Sequence, residues 1–318
     1  MKIGLLFAGQ GAQYPGMGKE LYEGSAAAKE VFDIAGEDIK EICFNGSAEA
    51  LKQTQVTQPC VYIVTMAAYM ALVKAAGSRL QPAGVAGFSL GEYSALTAAG
   101  VIDDIKKGLG IVSRRGELMM GAGTDENGDP KGGMAAALGK RQDILACVES
   151  ARGNGILEGV NFNTPAQTVV AGDLCALARF KEKATENRIR VVPLSVSTAF
   201  HTPMMRPAAD KLRQLLLMSE LKKPALRVYC NVSGKELTGS AAEIMAKQAE
   251  SPVLWQETIE NMASDGIGAM IEIGPGTALS GMVRKIAPQM ITYNVEDMES
   301  LKKTTQALAG MFGAEGGK

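Results

Sequence analysis

The chain has 318 residues, of which 46% are hydrophobic and 21% are charged, enough for one large domain or for a main domain with an insert. This composition excludes a disordered, a collagen-like or a coiled-coil protein. With 33 basic and 34 acidic residues the formal net charge is -1, so nothing attracts the chain as a whole to nucleic acid or to an anionic membrane.

The cysteines and the histidine limit the metal and redox chemistry. The five cysteines are far apart and none forms a C-x-x-C pair, which predicts neither a disulfide framework nor a cysteine zinc site and favours a reducing compartment. His201 is the single histidine, so multi-histidine metal sites are excluded and any imidazole base in this chain is that residue. We therefore predict no metal.

The most apolar segment of the sequence, residues 60–73, follows Pro59. It is shorter than the about 20 residues that a membrane-spanning helix needs, so we expect a buried helix. The apolar run at the amino end is too short for a secretory signal. We therefore expect a cytoplasmic protein without a membrane span.

Strand and helix patterns alternate along the first part of the chain. A buried strand is predicted at residues 3–7, ahead of the loop GQGAQ, and a second at 84–88, which runs directly into a helix. Further helices are predicted at 19–35, 61–76 and 103–120. This alternation predicts an α/β fold with a parallel sheet, in which ligands bind at the carboxyl ends of the strands.

A run rich in glycine, aspartate and proline at residues 121–133 marks a boundary. The next patterns have the order β-α-β-β-α-β of a ferredoxin-like subdomain. The α/β alternation then resumes, with helices predicted at 207–218, 241–249, 254–263 and 301–312 and strands at 226–231 and 269–273. We predict a main domain formed by residues 1–125 and 198–318, with an inserted subdomain at 126–197.

The clearest chemical motif is the G-x-S-x-G sequence at residues 87–91, which lies between a predicted strand and a predicted helix. This context is the one that a nucleophile elbow requires, because a tight turn between small residues exposes the Ser89 Oγ and the helix N-H groups can stabilise an oxyanion. The alternative is an ordinary strand-to-helix turn with an N-cap serine.

Three other features also have two interpretations. His201, which follows the predicted insert, is either a base that meets the serine in space or a histidine with a purely structural role. The loop after the first strand is either a plain turn or the source of a second N-H donor for a reacting oxygen. Arg114 and Arg115 are either both solvated, which the residues alone favour, or one of them holds a carboxylate with two parallel hydrogen bonds.

Taken together, the motifs resemble those of the malonyl-CoA:acyl carrier protein transacylase family. They follow the order of that family: GQGAQ, GFSLGEYSAL, RRGELM, NFNTPAQ, AFHTPMM, QAESPVLW and EIGPG. The resemblance implies an α/β hydrolase-like main domain with a parallel sheet plus an inserted ferredoxin-like subdomain. It also implies transfer of malonyl from malonyl-CoA to the phosphopantetheine thiol of holo acyl carrier protein, for fatty acid synthesis, by a monomer.

The resemblance also implies roles for individual residues. Ser89 matches the nucleophile and His201 its general base and later acid. The Gln10 and Leu90 backbone N-H groups match the oxyanion hole, Arg115 the group that binds the substrate carboxylate, and the Gln248 backbone carbonyl the group that orients the histidine. Candidate pocket residues are Asn161, Asn163 and Phe200, which match the family, and Phe88 and Met120, which lie at pocket positions but differ from its usual residues. No cofactor is implied, since malonyl-CoA is a substrate and the acceptor protein carries phosphopantetheine.

Two departures from the family pattern are Phe88, where histidine is usual, and Met120, where glutamine is common. The alternatives are a freestanding acyltransferase of a polyketide pathway, an acyl-thioester hydrolase on the same chemistry, and a catalytically weak subunit that binds carrier protein. Arg115 argues against the hydrolase, because a carboxylate clamp has little use on an uncharged acyl group. Candidate cations for an acidic carrier are Lys181, Lys183, Arg188, Arg190, Arg284 and Lys285.

Overall fold

The computed structural model describes residues 1–196 and 198–312. It confirms the predicted mixed α/β class, with one parallel and one antiparallel sheet. The strands in these residues are β1 Lys2–Phe7, β2 Pro82–Gly87, β3 Gly132–Leu138, β4 Leu157–Thr164, β5 Gln167–Asp173, β6 Arg190–Pro193, β7 Val228–Tyr229, β8 Ile267–Ile273 and β9 Ile291–Val295. The α-helices in the same residues are α1 Lys19–Gly24, α2 Ala26–Ala35, α3 Glu37–Asn45, α4 Thr54–Ala76, α5 Gly91–Ala98, α6 Ile105–Gly123, α7 Arg141–Arg152, α8 Leu174–Glu186, α9 Arg206–Met218, α10 Ala241–Gln248, α11 Trp255–Ser264, α12 Ala278–Ile286 and α13 Met298–Phe312.

The parallel sheet belongs to the first of two compact units, which comprises residues 1–113, 222–229 and the described chain from 260 onward. Its strand order is β7-β2-β1-β8-β9, and every neighbouring pair is parallel. β1 is buried after its first residue, as expected for a parallel strand covered on both faces. Because parallel strands end at the same edge, the loop after β1 and the turn after β2 are neighbours.

Helix α4 is longer than the pattern at 61–76 predicts. It begins at Thr54, so Pro59 lies inside the helix, at the cost of one backbone hydrogen bond. By length and composition alone the segment Thr54–Arg79 could cross a membrane, yet 67% of its most apolar 18-residue stretch is buried inside the protein. It packs against α2, α5 and α13, which confirms the predicted buried helix and corrects its start.

The antiparallel sheet belongs to the second unit, which comprises residues 114–221 and 230–259. The element order from β3 to β6 is the predicted β-α-β-β-α-β, and the strand order in the sheet is β4-β5-β3-β6. Residues of the sheet and of helices α7 and α8 form one core cluster that includes Ala135, Ile144, Val170 and Phe180. The predicted insert lies inside this larger unit, and Ser197, its last residue, lies outside the described residues.

Several predicted boundaries differ from the structure. The helix predicted at 19–35 is two helices, because Ser25 is extended and its Oγ accepts the Ala28 N-H at the start of α2. The strand predicted at 226–231 is reduced to the short β7. The elements α3, α12 and β9 were not predicted, and β9 lies at the edge of the sheet with only one buried residue, so its apolar pattern is weak.

Candidate active site

Ser89 lies in a tight turn between β2 and α5, in the first unit. Its φ angle is 50°, in the left-handed region that residues with a side chain rarely adopt. The Phe88 carbonyl accepts the Gly91 N-H at 2.9 Å, and the Ser89 carbonyl accepts the Glu92 N-H at 3.1 Å, so the helix begins directly after the serine. This strained turn is the local geometry that the elbow interpretation predicts.

The two flanking glycines are required by close backbone contacts. A Cβ on Gly87 would lie 2.0 Å from the Gly91 carbonyl oxygen, and a Cβ on Gly91 would lie 2.1 Å from the Phe7 carbonyl oxygen. Neither position has room for a side chain, since the atoms in the way belong to the backbone. The G-x-S-x-G spacing is therefore dictated by packing in the turn.

The loop after β1 lies against the same turn. A Cβ on Gly9 would be 2.2 Å from the Phe88 carbonyl oxygen, so the backbone next to Gln10 passes close to the elbow. In residues 1–196 and 198–312, neither the Gln10 nor the Leu90 backbone N-H donates a hydrogen bond to another protein group. Two such donors beside a serine are chemically able to stabilise an oxyanion.

His201 lies in the second unit and is 3% exposed. Its Nδ1 is 3.0 Å from the Gln248 carbonyl oxygen and 3.1 Å from the Ser251 carbonyl oxygen. Because both partners are acceptors, Nδ1 must carry the proton, which leaves Nε2 as the nitrogen able to accept one. The backbone also fixes the residue, since its N-H donates to the Ala249 carbonyl at 3.2 Å and its φ angle is 63°.

The surroundings of His201 favour the neutral imidazole. Burial, followed by the positive charge of Arg115, lowers the pKa of His201 from 6.5 to about 4, while the Gln248 and Ser251 carbonyls act in the opposite direction. The ring is therefore neutral at physiological pH, which is the state that a general base needs.

The two adjacent arginines of α6 have different environments. Arg114 is exposed and its Nη1 lies 2.6 Å from the Glu117 carboxylate, in the solvated arrangement that the residues alone favour. Arg115 is only 1% exposed, and its Nη2 donates to the Gln248 side-chain Oε1 at 3.0 Å. The structure thus brings Arg115, His201 and Gln248 together, whereas Arg114 takes no part in this cluster.

Asn161 and Asn163 are buried on β4. Asn161 forms a parallel bridge with Val253, whose backbone also bonds to β4 at 2.7 and 3.0 Å. This pairing holds the segment that carries the Ser251 carbonyl, so Asn161 lies near a carbonyl group that contacts the His201 ring. Asn163 instead donates from Nδ2 to the Gln167 side chain at 3.0 Å, and this contact belongs to the β4–β5 hairpin.

The remaining predicted pocket residues are divided between the units. Phe200 is 7% exposed and directly precedes His201, and Met120 is half-buried on α6, five positions after Arg115. Phe88 is half-buried in the first unit, beside Ser89.

A cavity of about 650 Å³ in the second unit is lined by charged, polar and apolar residues that include Lys140, Cys147, Lys183 and Arg188. It contains none of the predicted catalytic or pocket residues. All six candidate cations for the carrier are exposed, and Lys183 pairs with Glu186 at 2.8 Å. In the part of the chain that the structure describes, no cluster of three or more histidine, cysteine, aspartate or glutamate side chains could hold a metal ion.

Two groups of this site are not among the groups predicted from the sequence. One is the Ser251 carbonyl, which is the second acceptor for the His201 Nδ1-H. Pro252 is a signal for it, because a residue before proline favours extended backbone and its carbonyl is then available outside a helix. The other is the Gln248 side chain, for which the sequence carries no signal.

A strained serine between a strand and a helix, together with a buried neutral histidine, is typical of enzymes that transfer acyl groups through a serine ester. The family model described as "Acyl transferase domain" matches residues 5–309, so the chain is an acyltransferase.

The named relatives narrow the class. "Malonyl CoA-acyl carrier protein transacylase" of Bacillus subtilis (strain 168) is 38% identical over 317 residues, covering 96% of this chain and 97% of the relative. The crystal structure of malonyl CoA-acyl carrier protein transacylase from Clostridium perfringens superposes with a TM-score of 0.91 at 39% identity, covering 98% of both chains. This chain therefore belongs to the malonyl CoA-acyl carrier protein transacylase family.

One solved structure includes a carrier protein. It is a type II PKS acyl-carrier protein, in the holo form, in complex with its malonyl-transacylase. The transacylase matches this chain with a TM-score of 0.90 at 32% identity, covering 96% of this chain and all of the relative.

Proposed function

We propose that this protein transfers malonyl from malonyl-CoA to the phosphopantetheine thiol of holo acyl carrier protein, through a malonyl ester on Ser89, and so supplies fatty acid synthesis. Membership of the family supports the reaction. The observation that carries the choice of acyl group is the buried Arg115 guanidinium, which shares Gln248 with the candidate base His201.

In the first half-reaction, the Ser89 Oγ attacks the thioester carbonyl and the His201 Nε2 accepts the hydroxyl proton. The Gln10 and Leu90 backbone N-H groups stabilise the oxyanion of the tetrahedral intermediate. When the C–S bond breaks, the His201 proton passes to the departing thiolate, so coenzyme A leaves as the thiol and malonyl remains on Ser89.

In the second half-reaction, the phosphopantetheine thiol of the carrier gives its proton to His201 and its sulfur attacks the malonyl ester. Collapse of the intermediate breaks the Ser89 ester bond, and His201 returns the proton to the serine oxygen. The Gln248 and Ser251 carbonyls hold the Nδ1-H throughout, so the Nε2 stays the reactive nitrogen. Every proton is returned, and the scheme uses no metal or cofactor.

Arg115 is the proposed group for substrate selection. A malonyl carboxylate would accept two parallel hydrogen bonds from its guanidinium, whereas an acetyl group would leave this buried charge without a carboxylate. Discrimination of this kind is strong, because the wrong substrate leaves a buried polar group poorly satisfied. Phe200, beside the histidine, is proposed to crowd branched acyl groups.

We propose two structural parts for this chain. The parallel sheet with the elbow after β2 supports an α/β hydrolase-like main domain at residues 1–125 and 198–318. The antiparallel sheet and its element order support a ferredoxin-like insert at 126–197. We further propose that the protein works in the cytoplasm as a monomer. Light scattering of the purified protein tests the oligomeric state.

Initial rates with malonyl-CoA and acetyl-CoA as donors test the proposed function, with holo acyl carrier protein as acceptor or with water alone. The proposal predicts rapid malonyl transfer to the carrier, much slower acetyl transfer and little hydrolysis. Release of free malonate at an equal rate without carrier would instead identify a hydrolase. Since one relative is solved in complex with a type II PKS acyl-carrier protein, the assay is repeated with a polyketide carrier, and a strong preference for it would identify the polyketide alternative.

A further inference from the structure

Gln248 contacts two different groups of the candidate site through two different parts of the residue. It is the last residue of α10 and is completely buried. Its main-chain carbonyl accepts from the His201 Nδ1-H at 3.0 Å, and its side-chain Oε1 accepts from the Arg115 Nη2 at 3.0 Å. One residue therefore connects the candidate base with the candidate carboxylate clamp.

These two contacts can be separated by experiment. Substitution of the side chain leaves the main-chain carbonyl in place, and the Ser251 carbonyl at 3.1 Å gives His201 a second support. A variant at position 248 therefore perturbs the contact to Arg115 while the contact that orients His201 persists.

We propose that the Gln248 side chain is a positioning group that sets acyl specificity: it holds the Arg115 guanidinium in the orientation that receives the malonyl carboxylate. This inference rests on the proposed function. An arginine side chain has several rotatable bonds, and an oriented guanidinium loses less entropy when it binds a carboxylate. The amide oxygen supplies that orientation before the substrate arrives.

The choice of an amide rather than a carboxylate matters for the charge. A carboxylate at this position would pair with Arg115 and neutralise it, so the substrate carboxylate would have to compete for the guanidinium. The neutral amide oxygen accepts a hydrogen bond and leaves the positive charge for the ligand. The same charge lowers the pKa of His201, which shows that it acts on this site.

The first test is the variant Gln248→Met, which keeps the length of the side chain and removes the acceptor. Rapid-quench mixing with malonyl-CoA or acetyl-CoA, followed by mass measurement of the acyl-enzyme, gives a maximal acylation rate and a half-saturating concentration for each donor. We expect the half-saturating concentration for malonyl-CoA to rise by about 10- to 100-fold, the loss of one hydrogen bond to a charged group. The maximal rate and the values for acetyl-CoA should change less than threefold.

The second variant, Gln248→Glu, keeps an acceptor oxygen and adds a negative charge. It should lose malonyl acylation while it retains acetyl acylation. It should also move the acid limb of the acylation rate to higher pH, because a negative charge near His201 favours the imidazolium. A residue that only fills space would not move this limb.

A matched control is Gln256→Met, since the Gln256 Oε1 accepts from the Arg141 Nη2 at 2.9 Å in a similar pair that does not include His201. This variant should acylate like the wild type with both donors. Thermal melts of all three variants verify folding, and if the methionine variant does not fold, the glutamate variant decides.

Three results would overturn the inference. Wild-type half-saturation by malonyl-CoA in Gln248→Met, or equal losses with the malonyl and acetyl donors, would remove the side chain from acyl selection while the proposed function stands. A wild-type enzyme that accepts no malonyl would overturn the proposed function, and the inference would fall with it.

Discussion

The low pKa of His201 predicts that the free energy of unfolding depends on pH. In the folded protein its pKa is about 4, against 6.5 for an ordinary histidine. As the pH falls from 6.5 to 4, the unfolded chain takes up a proton at this residue and the folded chain does not. The unfolded state then binds more protons, so the free energy of unfolding decreases with falling pH in this window. Well above pH 6.5, where neither state binds the proton, the residue contributes no pH dependence.

The size of the effect follows from the two pKa values. The gap between 6.5 and about 4 corresponds to about 3 kcal/mol of lost stability once the pH is below both values. Most of it is already lost at pH 4.5. Since the side chain is almost completely buried, solvent does not screen the interactions that cause this shift.

Denaturant unfolding of the wild type and of His201→Gln, each at pH 7.5 and 4.5, measures this contribution. Glutamine does not titrate, so the difference between the proteins isolates His201 from the carboxylates that also titrate. The wild type should lose about 2–3 kcal/mol more than the variant between the two pH values. Equal losses would mean that the folded pKa of His201 is ordinary, and would refute the description of a buried, neutral base.

The same pKa predicts the pH dependence of catalysis. The rate constant kcat/KM should fall on the acid side near pH 4, because the free enzyme needs an unprotonated His201. Replacement of Arg115 by glutamine removes a positive charge that lowers this pKa, so the fall should move to higher pH. A limb near pH 6.5 in the wild type, or one that does not move in the variant, would contradict the electrostatic account.

The remaining predictions concern the clamp and the elbow. Arg115→Ala should lower the malonyl acylation rate by about a hundredfold or more and raise the ratio of acetyl to malonyl acylation. Arg114→Ala, whose ion pair is exposed, should behave as wild type in the same kinetic assay. Similar losses in both variants would contradict the assignment of Arg115. Gly91→Ala should destabilise the fold by about 3 kcal/mol, because its Cβ would lie 2.1 Å from a backbone oxygen. The control is Gly110→Ala in helix α6, where the added Cβ meets no atom within 4 Å, and it should stabilise the fold by about 0.5–1 kcal/mol. Equal unfolding midpoints for Gly91→Ala and Gly110→Ala would contradict the explanation by close packing.

Much of the fold could be predicted because buried strands and helix faces require apolar residues, and these are visible as patterns in the sequence. β1 and β2 are short apolar runs followed by glycine-rich turns, and the structure places both in the parallel sheet. β9 could not be predicted in this way, because only Val295 of its residues is buried. The predicted start of α4 at residue 61 is wrong for another reason, because the helix begins at Thr54 and accommodates Pro59 in its interior.

The candidate site could be predicted only in part. Ser89 has a local signal, since the glycines around it and the strand and helix on either side define the turn. The choice between Arg114 and Arg115 had no local signal, because adjacent residues of a helix point to different faces, and which face is buried depends on residues more than a hundred positions away. The contact from Arg115 to the Gln248 side chain spans 133 positions, so only the folded structure reveals it.

The acyl-serine mechanism is tested most directly by locating the acyl group on the protein. Wild type and Ser89→Ala are mixed with malonyl-CoA, the intact masses and the masses of proteolytic peptides are measured, and holo acyl carrier protein is then added. The proposed mechanism predicts one malonyl group on the wild type, on the peptide that contains Ser89. This group should move to the carrier, and the variant should carry none. A malonyl group on another residue, or transfer to the carrier at the wild-type rate by Ser89→Ala, would contradict this mechanism.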